Sequence, residues 1–290
     1  MSAVSGTASA HPDSTYALWH RLAAFSAGQT DAALQHLQEW IAREIDADNV
    51  IWIGAVRVLH GAPAKADSFL GWRLRARVAL RPDPPPYRQQ LAEYYDTEHY
   101  GKLTPTYYKR SHEAQKEDHI GMDSRATMAG CGNFRAMSIR DRSYLDFAAF
   151  KKTSHYKRYY RDAGIADRIM VSFPLTPGHE SFFLIDRFQS APRRRLFNRR
   201  EVAMAGKAIH GAPQLHRRLF LGNGLLVGDK LLSPMERQIL NGLLTGLTEK
   251  QLAASTGQKL ATLHKYVTAL YARFGVKSRA ALMALWLGAK

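Results

Sequence analysis

A chain of 290 residues is too long for one small module and fits one or two domains of ordinary size. With 46% hydrophobic and 23% charged residues it can bury a sizeable core, which excludes global disorder. Its 41 Lys and Arg against 25 Asp and Glu give a formal charge of +16 and a pI near 10.0; a polyanion is the natural partner, be it a ribosome, a duplex, an anionic membrane or a phosphorylated ligand.

One cysteine, Cys131, excludes an internal disulfide framework and a Cys-built zinc finger. No apolar run reaches eighteen residues, so no membrane-spanning helix and no membrane partner is expected. Residues 1–12 are small and polar, without the basic start and apolar stretch of a secretory signal. They read as a disordered tail on a cytoplasmic protein.

From Asp13 the pattern turns helical. Leu18, Leu22 and Phe25 share a stripe that ends at Gly28, and a second helix runs from about Thr30 to Ile45. The run from Asn49 to Leu59 reads as a buried strand. Gly71 to Leu80 reads as another, with Trp72, Leu74, Ala76, Val78 and Leu80 inward and Arg73, Arg75 and Arg77 facing water or an anionic ligand. Pro82, Pro84, Pro85 and Pro86 break regular structure, and Tyr87 to Tyr95 suits a short helix. Residues 96–125 carry no clear pattern. Residues 126–140 suit a strand pair turning at Gly130-Cys131-Gly132-Asn133. A helix is expected over about Ser143 to Arg161, its wet side carrying Lys151, Lys152, Lys157, Arg158 and Arg161. Ile169 to Leu175 and Ser181 to Phe188, joined by Pro177-Gly178, form a hairpin. A basic loop with Arg193, Arg194 and Arg195 follows, either solvated or touching an acidic partner, then a helix from Asn198 to Leu219.

Helices at the ends and strands between them imply an α+β domain over 13–221, an antiparallel sheet with flanking helices. The glycine-rich stretch 222–230 reads as a linker, and 231–290 as an all-α, four-helix domain. There Ser233, Pro234 and Glu236 make a capping box, and Thr248 with Gln251 a second. Gly257 allows a tight turn before a third helix, Leu260 to Phe274, and Ser278 caps a fourth. Two short helices around a glycine turn are a helix-turn-helix candidate. On the third helix Leu263, Val267, Leu270 and Phe274 share one face. Ala261, His264, Lys265, Thr268 and Ala272 occupy the opposite one, with Thr262, Tyr266 and Arg273 on a flank. That is the layout of a helix lying in a major groove.

The segment resembles the DNA-binding domain of LuxR-type (GerE-type) transcription regulators. The resemblance is carried by Leu232-Ser-Pro-x-Glu-Arg-x-x-Leu, Gly246-Leu-Thr-x-Lys-x-x-Ala, Gly257, Thr262 and Phe274-Gly-Val-x-Ser-Arg. It implies double-stranded DNA as partner, with His264, Lys265 and Thr268 as base readers. Lys250, Thr262 and Tyr266 become phosphate contacts, a role that the helix flank also gives to Arg273. The last helix, with Ala281, Leu282 and Leu285, becomes a homodimer contact. Thr256, Gln258, Lys259 and Tyr266 depart from the family's usual residues. The first three bear on turn packing and on the strength of DNA binding. The sequence therefore also admits a second reading, a protein-interaction module whose helix-turn-helix no longer reads DNA.

The preceding region resembles, in pattern, the GAF or PAS-like sensor regions found before such domains. Neither a receiver signature nor the spacing of an acyl-homoserine-lactone domain is present. Trp52, Trp72, Phe134, Tyr144 and Phe173 are placed on one sheet face, as core or as the lining of a small-molecule cavity. Cys131 reads as a turn residue rather than a nucleophile, because no helper histidine can be placed. No metal-ligand spacing, phosphate loop or nucleophile–base pair appears, so no cofactor, metal or enzymatic activity is expected.

Overall fold

A computed structural model of the chain describes residues 13–67, 69–83, 122–190, 195–227 and 231–288. The expected tail and the expected helix at Tyr87 to Tyr95 lie outside these residues. So do Arg193 and Arg194.

The chain begins with α1 (Asp13–Ala23), a 3-10 turn (Ala27–Gln29) and α2 (Thr30–Glu44). Then come β1 (Asn49–Arg57), the short α3 (Gly61–Ala66) and β2 (Trp72–Ala79). After residue 121 follow α4 (Met122–Ala129) and β3 (Arg135–Ser138). Two helical turns, α5 (Phe147–Phe150) and α6 (Ser154–Tyr156), lead into a π turn (Lys157–Arg161). The hairpin of β4 (Ile165–Thr176) and β5 (His179–Phe188) precedes α7 (Arg199–His210) and α8 (Pro213–Gly222).

The five strands form one antiparallel sheet in the order β2-β1-β5-β4-β3. One face is covered by α1, α2, α7 and α8. Trp52, Phe183, Val171 and Ile169 meet Leu34, Leu37, Ile41, Ile209 and Phe220 there in the larger core. The other face carries Ile51, Ile53, Phe182 and Leu184, packed with Phe69, Trp72 and Met128.

The strand pairing corrects the expected alternation on β2. Gly54 pairs with Ala76 but Ala55 pairs with Leu74, so Arg75 is the extra residue of a bulge. A one-residue slip moves every later side chain to the opposite face. Trp72 and Leu74 therefore lie on one face, and Ala76 and Val78 on the other. The arginines do not face water. Arg73 is 1% exposed and binds both oxygens of Asp67 at 2.8 Å, Arg75 is buried, and Arg77 binds both oxygens of Asp83 at 2.7 and 2.6 Å.

Three further expectations are corrected. The start of 126–140 is the end of helix α4 rather than a strand, and β3 alone pairs there, with β4. The helix expected from Ser143 is broken into turns, because the Asp146 carboxylate and the Thr153 hydroxyl each cap a new start. The helix from Asn198 stops at His210. The chain passes through Gly211 and restarts with Pro213 at the first position of α8.

The carboxyl-terminal part contains α9 (Pro234–Leu244), α10 (Glu249–Thr256), α11 (Leu260–Phe274) and α12 (Arg279–Leu287) around their own core. Both expected capping boxes form. The stretch between the two cores is packed where it is described. Leu225 is buried against the sheet-side core and Leu226 touches both cores. The helical part also rests on the helix layer of the sheet. Gly28 lies so close to α9 that a β-carbon there would meet Thr245 at 2.3 Å. Arg237 pairs with Asp31 at 3.1 Å, and the Arg217 Nε–H donates to the Leu285 carbonyl at 3.2 Å.

Candidate nucleic-acid interface and sensor cavity

Helix α11 is held by its apolar side. Leu263, Val267, Leu270 and Phe274 are buried among Ile239, Leu240, Leu243, Leu252, Leu282 and Trp286. The backbone at Gly257 adopts φ +67°, the left-handed conformation that lets α10 end and α11 begin with only three residues, 257–259, between them. Arg279 fixes the far end. Its guanidinium donates to the carbonyls of Leu247 at 2.8 Å, Gly242 at 3.3 Å and Leu243, closing the end of α9. This is the physical use of the Ser-Arg pair in the sequence motif.

With the apolar side so held, Ala261, His264, Lys265, Thr268 and Ala272 are all exposed on the opposite side. Lys250 on α10 and Thr262 on α11 are exposed beside them. The strip is cationic and narrow, with small residues at two positions, which is what close approach to base edges requires. His264 is not isolated: its Nδ1 lies 3.0 Å from Glu249 Oε2 on α10.

The remaining predicted residues fall differently. Tyr266 is half-buried and packs on the helical core. Arg273 turns inward: it pairs with Glu236 at 3.9 Å and lies against Gly224, away from the open flank. Leu282 on α12 is fully buried in its own helical core. Ala281 and Leu285 are half-buried, the latter beside α8, and Leu287 is 70% exposed.

The departures at the turn have a local account. The Thr256 hydroxyl is satisfied by the Leu252 carbonyl at 2.7 Å, and the Gln258 N–H donates to the Ala253 carbonyl at 3.0 Å. Lys259 stands at the N-cap of α11 and its side chain makes no capping bond. That helix starts without the oxygen acceptor that usually serves its first N–H groups.

The five aromatic residues expected on one sheet face do not converge. Trp52 lies in the larger core, donates to Ser181 Oγ at 3.1 Å and meets Phe220 edge-on. Phe173 stacks on His216 with centroids 4.1 Å apart, and Phe134 lies at the surface beside His210. Trp72 and Tyr144 are on the opposite side of the sheet. The bulge in β2 is the reason for Trp72; Phe134 lies in the turn before β3.

A cavity of about 90 Å³ occupies that opposite side, between the sheet and α4 with the π turn. Ile53, Phe69, Leu74, Met170, Phe182 and Leu184 supply apolar wall, and Asp123, Thr127, His155, Tyr160 and Arg168 the polar part. Asp123 is the residue that sequence reading missed, since it falls in a stretch without recognisable periodicity. Its Oδ2 accepts from the Tyr160 hydroxyl at 2.5 Å. Its Oδ1 accepts no hydrogen bond among the described residues and lies 3.4 Å from His155 Nε2. Behind it, Arg168 is fixed by both oxygens of Asp186 at 2.5 and 2.7 Å. Burial and the neighbouring Asp123 charge push the Tyr160 and Tyr144 hydroxyls well above the usual phenol range, so both remain donors. Cys131 is pushed up as well, first by burial and then by the Glu180 charge, which disfavours the thiolate.

Comparison with known proteins gives three findings. The family of bacterial regulatory proteins named luxR (GerE) matches residues 230–286. A curated relative, the probable HTH-type transcriptional regulator GfsR of Streptomyces halstedii, is 35% identical over 57 residues; the match covers 20% of this chain and 24% of that protein. Among solved structures, SdiA in complex with octanoyl-rac-glycerol aligns with a TM-score of 0.40 at 11% identity, covering 96% of this chain and 95% of that one. Escherichia coli SdiA aligns with a TM-score of 0.37 at 12% identity, covering 95% of each.

Proposed function

We propose that this chain, whose residues 230–286 are a LuxR-family helix-turn-helix domain, is a sequence-specific DNA-binding transcription regulator governed by its sheet-containing region. The observation that carries the reading is the exposed cationic strip of α11 over a fully buried apolar side. In the proposed complex α11 enters the major groove. His264, Lys265 and Thr268 meet base edges, while Lys250, Thr262 and the Tyr266 hydroxyl meet phosphates. Arg273 has no part in this scheme, because Glu236 and the Gly224 turn occupy it. Two copies pair through the exposed side of α12 and set two recognition helices about one duplex turn, roughly 34 Å, apart.

The proposed division is a sensor at 13–221, a joint at 222–230 and the DNA-binding part at 231–290. The cavity beside Asp123 is the proposed small-molecule site, because it combines apolar walls with a buried carboxylate oxygen that accepts no hydrogen bond among the described residues and lies 3.4 Å from His155. Its walls include Ile53 on β1 and Phe182 on β5. The adjacent residues Trp52 and Phe183 point to the other face, into the core that also holds Phe220 and Leu225. A ligand that favours one arrangement of the strands would thereby bias the joint.

The test is selection of bound sequences from a random duplex pool, followed by gel shift at two salt concentrations. The reading requires an enriched motif, bound with an affinity that falls steeply with salt. Binding without any enriched motif would favour a helix-turn-helix that no longer reads DNA. The uncapped start of α11 at Lys259 is the observation on that side.

A further inference from the structure

Over residues 231–288 the chain has only two acidic side chains, Glu236 and Glu249. Glu236 is occupied in the capping box of α9, where it accepts from the Ser233 N–H at 2.7 Å. Glu249 stands instead at the edge of the cationic strip, where a carboxylate opposes approach to a polyanion. Its place in the first turn of α10 suits the positive end of that helix. That does not account for its reach across to α11. Fifteen residues along the chain, His264 Nδ1 meets Glu249 Oε2 at 3.0 Å. Lys250, Leu260 and Ala261 complete a shallow hollow around the pair.

A carboxylate only accepts, so the Nδ1–H of His264 must be the donor. The imidazole is then held with Nε2 as its free edge. An exposed histidine without this bond samples several rotamers, and each base contact must overcome that lost freedom. We infer that Glu249 is a positioning residue that orients His264 for base reading, lowering overall affinity for DNA while raising sequence discrimination. The inference rests on the proposed DNA-binding function of α11. It assigns two separable effects to one side chain. The negative charge weakens binding to every duplex. The acceptor oxygen fixes His264 and sharpens the choice of base.

Three full-length variants separate them: Glu249→Gln, Glu249→Ala and His264→Ala, each first shown to be folded by circular dichroism. Affinity is measured for the motif selected by the unaltered protein and for unrelated duplex. Gln and Ala both remove the charge, so both should bind unrelated duplex more tightly than the unaltered protein. Gln keeps an acceptor oxygen, so its ratio of specific to unrelated affinity should stay within about twofold. Ala should lower that ratio by about tenfold, the scale of one base contact. Glu249→Ala combined with His264→Ala should lower it no further than His264→Ala alone. The inference is overturned if Ala keeps the ratio of the unaltered protein, if Gln loses it as Ala does, or if the double variant shows two independent losses. Failure of the parent reading looks different: the unaltered protein would itself show no preferred sequence.

Discussion

Five arginines of the sheet region and the open cations of the carboxyl-terminal helices are put to opposite uses. In the former, Arg73, Arg77, Arg135, Arg168 and Arg187 are turned inward and each holds an internal carboxylate. In the latter, Lys250 and Lys265 are exposed beside His264, and the one carboxylate nearby is Glu249. A net charge of +16 therefore does not describe a uniformly basic surface. Planar guanidinium groups that bind carboxylates through two bonds suit the interior. Ammonium groups on flexible stems suit a wet strip facing phosphates and bases. Basicity signals a polyanion only where the charge is left open to solvent.

The largest effect that would sharpen this contrast is expected inside. Arg168→Ala leaves Asp186 buried without its two-bond partner, which costs about 3–5 kcal/mol of stability by urea unfolding. A cost below about 1 kcal/mol would mean the interior pair is not structural.

A second interior test uses acid. His216 is fully buried, and its Nε2–H donates to the Ile209 carbonyl at 3.0 Å while Nδ1 finds no partner among the described residues. Burial lowers its pKa from 6.5 to about 4. The folded state thus holds the neutral ring, whereas the unfolded chain takes up a proton from about pH 6.5 downward. Stability should be unaffected by this group above pH 6.5. It should fall by about 3 kcal/mol in total as pH drops toward 4, and change no further below that. His216→Phe should remove this part of the pH dependence; an unchanged profile in that variant would assign it elsewhere.

On the exposed strip the order of effects reverses. Lys265→Ala should change stability by less than about 0.5 kcal/mol, yet lower specific DNA binding by about 1–3 kcal/mol. Lys250→Ala should weaken all sequences alike and reduce the salt slope by about 1. The smallest change concerns the start of α11. Lys259→Ser supplies the missing cap and should stabilise the protein by about 1 kcal/mol in thermal unfolding. No gain would mean that water already serves those N–H groups.

The two regions also differ in how far their residues announced them. In the carboxyl-terminal helices the signals are local. Ser233 with Glu236, Thr248 with Gln251, Gly257 and Gly275 each fix a helix end within a few residues, and the structure places those ends accordingly. The buried set Leu263, Val267, Leu270 and Phe274 follows from helical period alone. In the sheet region the hairpin of β4 and β5 was equally plain. The faces of β2 were not, because a bulge at Arg75 is a property of pairing with β1 and leaves no mark in one strand's sequence. The break between α7 and α8 was missed, since one helix was expected from Asn198 to Leu219 across Gly211 and Pro213. Asp123 could not be found by period or motif. Its importance lies in what surrounds it, Tyr160 and His155 more than thirty residues away. The contact of Glu249 with His264 depends on how α10 and α11 cross, which no local signal records.

The most direct test of the central claim is a salt-titrated footprint of the full chain beside its Lys265→Ala variant on the selected motif. The expected result is protection of a discrete site whose affinity falls steeply between low and physiological salt, and a folded variant that binds without preferring that site. Undiminished site preference in the variant, or no discrete protection by the unaltered protein at any salt, would contradict it.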